Sequence, residues 1–524
     1  MSAVLRLQDV AVLVDAADNV AVVKADLDGG ETIRMPNGSE LVVTGPVTRG
    51  NRFATRPIPA GSFVLQYGQP IGTAREAGDG IGAGDPIDAT NMSNDVPISR
   101  ELPDDLANPA PNYIPVEQRA TFAGFRRADG RVGTRNYVAI VPTSMCSSHE
   151  AQQIATIAEF AQFDRSAFPN VDGIVALPHN LGCGSSDGSN IEVLLRTLAN
   201  CADHPNVGGV IFIELGCEKT NLDVMDAFLA RTGRTSWDKP TVSFGIQQVG
   251  GTQAAIERGL AEVQALLPRV NACARSRESV AELVLGVKCG GSDGFSGLSA
   301  NPALGHTADR LIRSGGTVLI TEVPEFCGAE HLFAARAKDA AVGRRVFEIV
   351  DWYKAYAAKF GTKLDDNPSP GNIAGGLLNI TIKSLGAMAK AGTTRVEGTC
   401  AYAERPSARG LHLMQGPGYD QESTPGLVAA GATVVVFTTG RGTTIGNALA
   451  PVIKLASNST LFARMERDID LNAGGVIDGT HTIEQVGVEV FEHMIRVAGG
   501  QVQAKAEVHK HREFQVWAEQ SVSL

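Results

Sequence analysis

Residues 283–293 read LVLGVKCGGSD: an apolar run of strand length that stops at a lysine, a cysteine, two glycines, a serine and an acid. The run is continuous rather than alternating, which suits a strand covered on both faces. The same figure recurs along the chain. Tyr137–Pro142 runs into Thr143-Ser144-Met145-Cys146, Val171–Leu177 into Pro178-His179-Asn180-Leu181-Gly182-Cys183, and Gly209–Leu215 into Gly216-Cys217-Glu218-Lys219. Thr317–Thr321 runs into Glu322-Val323-Pro324-Glu325, and Thr433–Phe437 into Thr438-Thr439-Gly440-Arg441-Gly442-Thr443. Amphipathic stretches at 150–163, 190–201, 252–267 and 308–314 lie between, and 482–498 reads as a closing helix. Strands alternating with helices predict an α/β domain built on a mainly parallel sheet.

Outward from this pattern the chain changes character. Residues 1–75 carry short β-rich runs (Val10–Val14, Val20–Val23, Glu40–Val43, Phe63–Tyr67) separated by turn signals such as Pro36-Asn37-Gly38. They predict a small all-β module. Residues 76–120 are rich in Gly, Pro, Asp and Asn, which reads as a linker, extended and partly ordered against its neighbours. The α/β region then divides into a first part, 121–270, and a second, 271–524.

Composition removes several function classes. A net charge of −11 argues against a nucleic-acid or anionic-membrane binder, which needs a basic face. Asp9 and Asp15 interrupt the opening residues, so no secretory signal is read there, and no run of about 18 apolar residues occurs. A cytoplasmic protein with no membrane or nucleic-acid partner is expected. Eight cysteines in 524 residues with no CxxC pair are neither a disulfide framework nor a zinc ribbon. Glycine is unusually frequent, 58 residues or about 11% against about 7% on average, as close backbone approaches at strand ends would require.

Ligands of open α/β sheets bind beyond the carboxyl ends of the strands. Cys146, Cys183, Cys217 and Cys289 all fall there, with His179 four residues before Cys183. Thiolates and imidazole suit iron or zinc, so these five form a pool of candidate metal ligands; the bland alternative is small buried cysteines. Cys201, Cys273 and Cys400 lack this placement, and Cys327 trails its strand by several residues. Glu322 and Glu325 are either hard oxygen ligands, acid/base groups or acids at a helix start. The loop Thr438-Thr439-Gly440-Arg441-Gly442-Thr443 has the glycines, hydroxyls and arginine of an anion-binding loop. It is not a phosphate-binding GxxxxGK[ST] loop, and its third glycine comes one residue late for a dinucleotide fingerprint. A substrate carboxylate is the expected anion. Asn367-Pro368-Ser369-Pro370-Gly371-Asn372 is a stiff turn whose Ser and Asn can bond a hydroxylated ligand.

Taken together, the motifs FAGFRRADGRVGTRNYVAIVPTSMC, HNLGCG, ELGCEK, CGGSDGFSGLSANPALG, TEVPEFCGAEH, NPSPGN, FTTGRGTTIG and DIDLNAGG resemble the altronate/galactarate dehydratase family over nearly the whole chain. The resemblance implies an N-terminal β-clip (SAF-type) module containing DNVAVV at 18–23. It also implies a large Rossmann-like C-terminal domain and an intervening region that helps form a homodimer. It implies removal of water from a sugar acid to leave a 2-keto-3-deoxy acid, with Fe(II) or a similar divalent metal; an iron–sulfur cluster on three cysteines also fits the cysteine count. Relatives with the same core eliminate sulfite from sulfolactate. Two positions depart from the family's habit: Asp15 stands where a histidine is usual, and Gln66 where a basic residue precedes Tyr-Gly.

On that reading a base takes the proton beside the carboxylate and an acid assists departure of the neighbouring hydroxyl. His179, Glu322, Glu325 and Lys383 are the acid/base candidates. Arg441 with its loop, Asp293, Asn372 and Lys454 are the substrate contacts, and Lys383 doubles as an anion contact. A dehydrogenase and a non-catalytic sugar-acid-binding protein are the competing classes.

Overall fold

The computed structural model describes residues 4–76, 80–185, 187–234 and 237–519. Its N-terminal part is three small sheets, each of three short strands. One hairpin shows how the motifs build it. Phe63–Gln66 pairs with Gln69–Ala74, leaving Tyr67 and Gly68 as a two-residue turn with φ of 63° and 66°. Both values belong to the hairpin turn that matches strand twist, but tyrosine there is unfavourable. The Asp18 carboxylate compensates by accepting from Tyr67 N (3.1 Å) and Gly68 N (2.8 Å). Met92–Ser93 pairs with Thr73–Ala74, so the module continues past the boundary read at residue 75. Beyond it the chain is extended and anchored to the C-terminal domain, through Arg100 on Asp351 and Asn108 on the carbonyls of Ala335 and Ala337.

The α/β region holds two parallel sheets, where the sequence pattern suggests one continuous run. The first has β1 (Tyr137–Pro142), β2 (Gly173–Ala176), β3 (Val207–Glu214) and β4 (Thr241–Gly245) in the order β2-β1-β3-β4. Its residues alternate between two cores: Val138 and Ile140 face the helices Ser148–Ile157 and Thr252–Asn271, while Ala139 and Val141 join the core shared with the rest of the chain. After β4 and the long helix, Ser276–Ser279 pairs antiparallel with Thr121–Gly124. That pairing takes the chain out of the first sheet, so the next strand starts a second one.

The second sheet comprises β5 (Val284–Cys289), β6 (Thr317–Ile320), β7 (Val396–Cys400), β8 (Gly410–Met414), β9 (Val434–Thr439), β10 (Val452–Ala456) and β11 (Leu471–Asn472). All seven are parallel, in the order β7-β8-β6-β5-β9-β10-β11. The chain builds outward from β5 on one side and then returns to build on the other. The strand order therefore reverses at β5, and a crevice opens beyond its carboxyl end between β6 and β9. The expected helix at 308–314 is the second half of Ala300–Arg313, and the closing helix spans Ile483–Ala498 against it.

The N-terminal module sits on this second domain through backbone. Gly50 has φ 85°, and a Cβ there would lie 2.7 Å from the carbonyl oxygen of Gly375. Gly50→Ala is expected to lower stability by about 1–3 kcal/mol, from left-handed strain and the forced gap, with a lower urea midpoint as the readout. No helix among the described residues is long and apolar enough to cross a membrane.

Candidate functional site

At the carboxyl end of β5 the chain turns sharply through Gly290 and Gly291, and Cys289 is fully buried. Two residues past the end of β6, Glu322 takes φ 76°, a costly conformation for a non-glycine residue and one that tends to mark functional sites. The short turn it begins brings Glu325 back over the crevice. Cys289 Sγ lies 3.0 Å from Glu325 Oε2, and the ligand atoms of Cys289, Glu322 and Glu325 all lie within 4.8 Å of one another. That donor set could hold a metal ion by its chemistry.

The space among those donors is already occupied by a cation. Lys390 Nζ lies 2.9 Å from Cys289 Sγ, 2.8 Å from Glu322 Oε2 and 3.2 Å from Glu325 Oε2. Lys288 Nζ binds the other oxygen of Glu322 and lies 2.6 Å from Asp420 Oδ1. Lys383 Nζ binds Glu325 Oε1 at 3.2 Å and Asn367 Oδ1 at 2.9 Å. A divalent ion would enter only by displacing a buried ammonium, so these residues as placed do not fit a resident metal.

The charges tune one another. Burial alone would raise Glu325, but Lys390, Lys383 and Lys288 outweigh it and hold the carboxyl well below its ordinary range. Burial would lower both buried lysines, yet Asp420 and Glu322 raise Lys288, and Cys289, Glu322 and Glu325 raise Lys390. Burial and the Glu325 charge push the Cys289 thiol up, so it stays protonated and donates to Glu325. Glu322 is raised, by burial and by the Glu325 charge.

A cavity of about 250 Å³ opens onto this cluster, lined by Cys289, Glu325, Ser369, Asn372, Lys383 and Tyr419 among others. The Asn372 amide donates to Ser292 O at 2.8 Å, which fixes the 367–372 turn to the β5 loop. An adjoining cavity of about 240 Å³ lies across residues 371–375, lined by Arg49, Arg441, Arg464, Asp293 and Asn458. Arg49 comes from the N-terminal module and stacks on Phe295 at 4.7 Å. None of the three guanidiniums has a carboxylate within 4.0 Å among the described residues. Asp293 is instead held by Ser457 Oγ (2.8 Å), Ser296 Oγ (3.0 Å) and Asn458 Nδ2 (3.0 Å). Burial raises it above the usual carboxylate range. A larger cavity of about 320 Å³ lies at the amino-terminal ends of β5 and β6, beside Leu283, Val284 and Thr317, away from the crevice.

The remaining expected contacts are mostly structural. Lys454 Nζ is turned onto the carbonyls of Thr444 (3.2 Å) and Ile445 (3.4 Å), so it braces the anion loop instead of reaching an anion. Thr438 Oγ1 donates to Asn301 (2.6 Å), Thr439 Oγ1 accepts from Gly442 N, and Thr443 Oγ1 accepts from Ile445 N. Gly440 is required because a Cβ there would meet the Asp293 carboxylate at 2.2 Å. The pool of metal-ligand candidates divides between the sheets: Cys289 ends β5, while Cys146, Cys183 and Cys217 follow β1, β2 and β3. His179 is neither a free ligand nor a free base. Its Nε2 bonds Pro142 O at 3.0 Å, its Nδ1 accepts from Leu181 N, and burial pushes it down to about 4. The sequence reading missed Lys288, Lys390, Asp420, Arg49 and Arg464.

Family models match the chain in three consecutive pieces. The D-galactarate/altronate dehydratase C-terminal model covers 280–522, the D-galactarate dehydratase/altronate hydrolase second-domain model 124–271, and the altronate/galactarate dehydratase SAF-domain model 9–95. Altronate dehydratase of Bacillus subtilis is 35% identical over 489 residues, 93% of this chain and 94% of its own. The chain belongs to the altronate/galactarate dehydratase family. Within this dehydratase family, galactarate dehydratase (L-threo-forming) of Escherichia coli is 37% identical over 92% of this chain and 91% of its own. The (2R)-sulfolactate sulfo-lyase subunit beta of Chromohalobacter salexigens is 34% identical over 75% of this chain and 96% of its own. In this dehydratase-family chain the SAF-type module meets the crevice through Arg49, whereas Gln66 is fully buried and Asp15 stands beside Gly68 in the hairpin turn.

Proposed function

We propose that the protein is a hydro-lyase that removes water from a sugar acid to give a 2-keto-3-deoxy acid. The observation that carries this reading is the Lys383–Glu325 pair facing a cavity that adjoins three guanidiniums with no carboxylate partner among the described residues. The cationic side suits an anionic substrate, because guanidinium forks match carboxylates. The other side supplies the two proton positions that an elimination needs.

The proton balance closes within the pair. Glu325 accepts the proton from the carbon beside the carboxylate, and the Lys383 ammonium gives one to the departing hydroxyl, which leaves as water. As Lys383 loses its charge, one of the cations that depress Glu325 disappears, so the carboxylate becomes a stronger base as the reaction proceeds. The proton then crosses the 3.2 Å gap from Glu325 to Lys383 and restores both groups. Lys390 and Lys288 keep the second carboxylate and the thiol in place, and Arg441 carries negative charge that develops on the substrate. The enol product tautomerises to the ketone. The family resemblance implies ferrous iron, which the Cys289 group with Lys390 seated in it does not fit, and no step here passes through it.

Incubation with a panel of aldonic and aldaric acids, with Fe(II) and a thiol present, tests this reading. A 2-keto-3-deoxy product from at least one sugar acid is expected; no product from any, or sulfite released from sulfolactate alone, would overturn it. Match length favours the hydro-lyase over the sulfo-lyase, since the dehydratase relatives align over more of the chain. Arg49→Ala and Arg464→Ala should each raise KM by about 10-fold or more while changing kcat little, as loss of a charged contact made equally in ground and transition states does.

A further inference from the structure

Loss of water leaves an enol, and its conversion to the ketone needs a second pair of proton transfers. One proton goes to the carbon that lost the hydroxyl, and one leaves the enol oxygen. Lys383 stands where the hydroxyl departs, so its ammonium is placed for the first transfer. Glu325 is badly placed for the second. It lies 3.2 Å from Lys383 Nζ, so the two groups work on one face of the substrate. The C–H and C–O bonds that they break stand perpendicular to the plane of the forming double bond, whereas the enol O–H bond lies in that plane. Both Glu325 oxygens are also engaged, Oε1 by Lys383 and Oε2 by Lys390 and Cys289. Ketone formation inside the cavity therefore calls for a second base, at the edge of the substrate.

The cavity that Lys383 and Glu325 face is also lined by Asp366 and Asp420. Asp366 is spent on its own turn, where one oxygen accepts from Thr362 Oγ1 and Lys363 N. Asp420 opens the helix Asp420–Ala429, which follows β8. Its Oδ1 accepts from Lys288 Nζ, while Oδ2 has no hydrogen-bond donor among the described residues, and the side chain is 30% exposed. The carboxylate packs on the turn after β5, where a Cβ at Gly290 would lie 2.8 Å from Oδ2. Its position is fixed by the same charges that hold Glu325. Asp420 binds Lys288, Lys288 binds Glu322, Glu322 binds Lys390, Lys390 binds Glu325 and Glu325 binds Lys383. This row alternates in sign, its interior is buried, and its two ends, Asp420 and Lys383, face one cavity of about 250 Å³. A space of that size takes one sugar-sized molecule, so both ends address the same ligand.

The geometry points to Asp420 as the base, and Lys383 as the acid, of a second step in which the enol becomes the ketone before it leaves the cavity. This inference rests on the hydro-lyase reading above. The electron pair of the carbon–carbon double bond takes a proton from the Lys383 ammonium at the carbon that lost the hydroxyl. The enol O–H bond breaks, its electrons form the carbonyl, and its proton goes to Asp420 Oδ2. The ketone is left with a neutral Lys383 amine and a protonated Asp420. Both side chains are partly exposed, so Asp420 gives its proton to water and Lys383 recovers one. A stereochemical consequence follows. The same ammonium serves the departing hydroxyl and then the carbon, so the new hydrogen takes the position that the hydroxyl left.

The test is turnover in D2O of a sugar acid converted in the panel above, quenched before the product exchanges on its own, with proton NMR of the new methylene. The wild type should place deuterium at one of the two methylene positions only, the one the hydroxyl occupied. Asp420→Asn keeps an oxygen for Lys288 and loses the base. It should still eliminate water but release the enol, which ketonises in solution, so deuterium should appear at both positions. Asp366→Asn should keep the wild-type pattern. Thermal melts check folding, and the wild-type pattern decides the matter even where a variant fails to fold. Deuterium at both positions in the wild type would overturn the inference. So would deuterium opposite the hydroxyl's position, which removes Lys383 as donor, or a single position in Asp420→Asn, which removes Asp420 as base. Keto product with scattered label would leave the hydro-lyase reading intact, whereas its own failure is the absence of keto product.

Discussion

Lys383→Met is expected to reduce kcat by about 10²–10⁴-fold, the range associated with loss of a positioned acid or base. The side chain is only 11% exposed, and its amine faces the cavity from between Asn367 and Glu325. Methionine fills the same space without a proton to give. The variant should still fold, because Lys383 occupies the open rim of the cluster and Lys390 still neutralises Glu325 from the other side. Lys383→Arg discriminates proton transfer from charge: arginine keeps the cation but does not release a proton near neutral pH, so it should be as inactive as methionine while binding substrate with similar KM. Steady-state kinetics on both variants, with thermal melts as a folding control, checks this. A variant within tenfold of wild-type kcat would remove Lys383 from proton transfer.

Lys390→Met should instead destabilise the fold. The ammonium is fully buried and bonded to a thiol and two carboxylates. Removing one partner from a buried charge cluster leaves the others uncompensated, at a cost of about 3–5 kcal/mol. Lys390→Met combined with Glu322→Gln removes charge from both sides and should recover part of that loss, as a double-mutant cycle in urea would measure. The pH dependence has a definite sign. Glu325 has a folded pKa below its unfolded value near 4.5. Its contribution is therefore complete above that value and disappears as pH falls toward the folded pKa. The gap between wild type and Lys390→Met should narrow below about pH 4.5.

These two lysines also show what the sequence could and could not disclose. Strand ends carry local signatures, so Cys289, Glu322 and Glu325 were legible from apolar runs that stop at polar residues, and Asn372 from the proline-stiffened turn 367–372. Lys288 was visible beside Cys289 but reads as a strand residue. Lys390 has no local sign at all: it sits in Ala389–Ala391, just past the helix Ile380–Met388, and reaches the site only because that segment packs against the helix Ala300–Arg313. Arg49 belongs to a β module more than two hundred residues away in sequence from the loop it faces. β7, β8 and β10 were also missed. Their runs are short and interrupted by Gly, His or Lys, and tertiary burial rather than local pattern makes them strands. The split into two sheets depends on one antiparallel pairing, Thr121–Gly124 with Ser276–Ser279, whose halves lie about 150 residues apart and leave no periodic trace.

Arg52 carries a consequence for how the chain is made. This side chain is fully buried where the N-terminal module meets the catalytic domain, its Nη2 donating to the carbonyl of Gly376 at 2.6 Å, while Nε and Nη1 have no hydrogen-bond partner among the described residues. Its acceptor is synthesised 324 residues later. At a translation speed of roughly 5–20 residues per second, the module emerges and waits about 15–60 s before the carbonyl exists. During that interval the arginine is hydrated, and docking must strip that water from a guanidinium that regains one hydrogen bond. The module is therefore a late-closing cover: the nascent catalytic domain folds around an open crevice, and Arg49 reaches its cavity only when the two ends of the chain are joined.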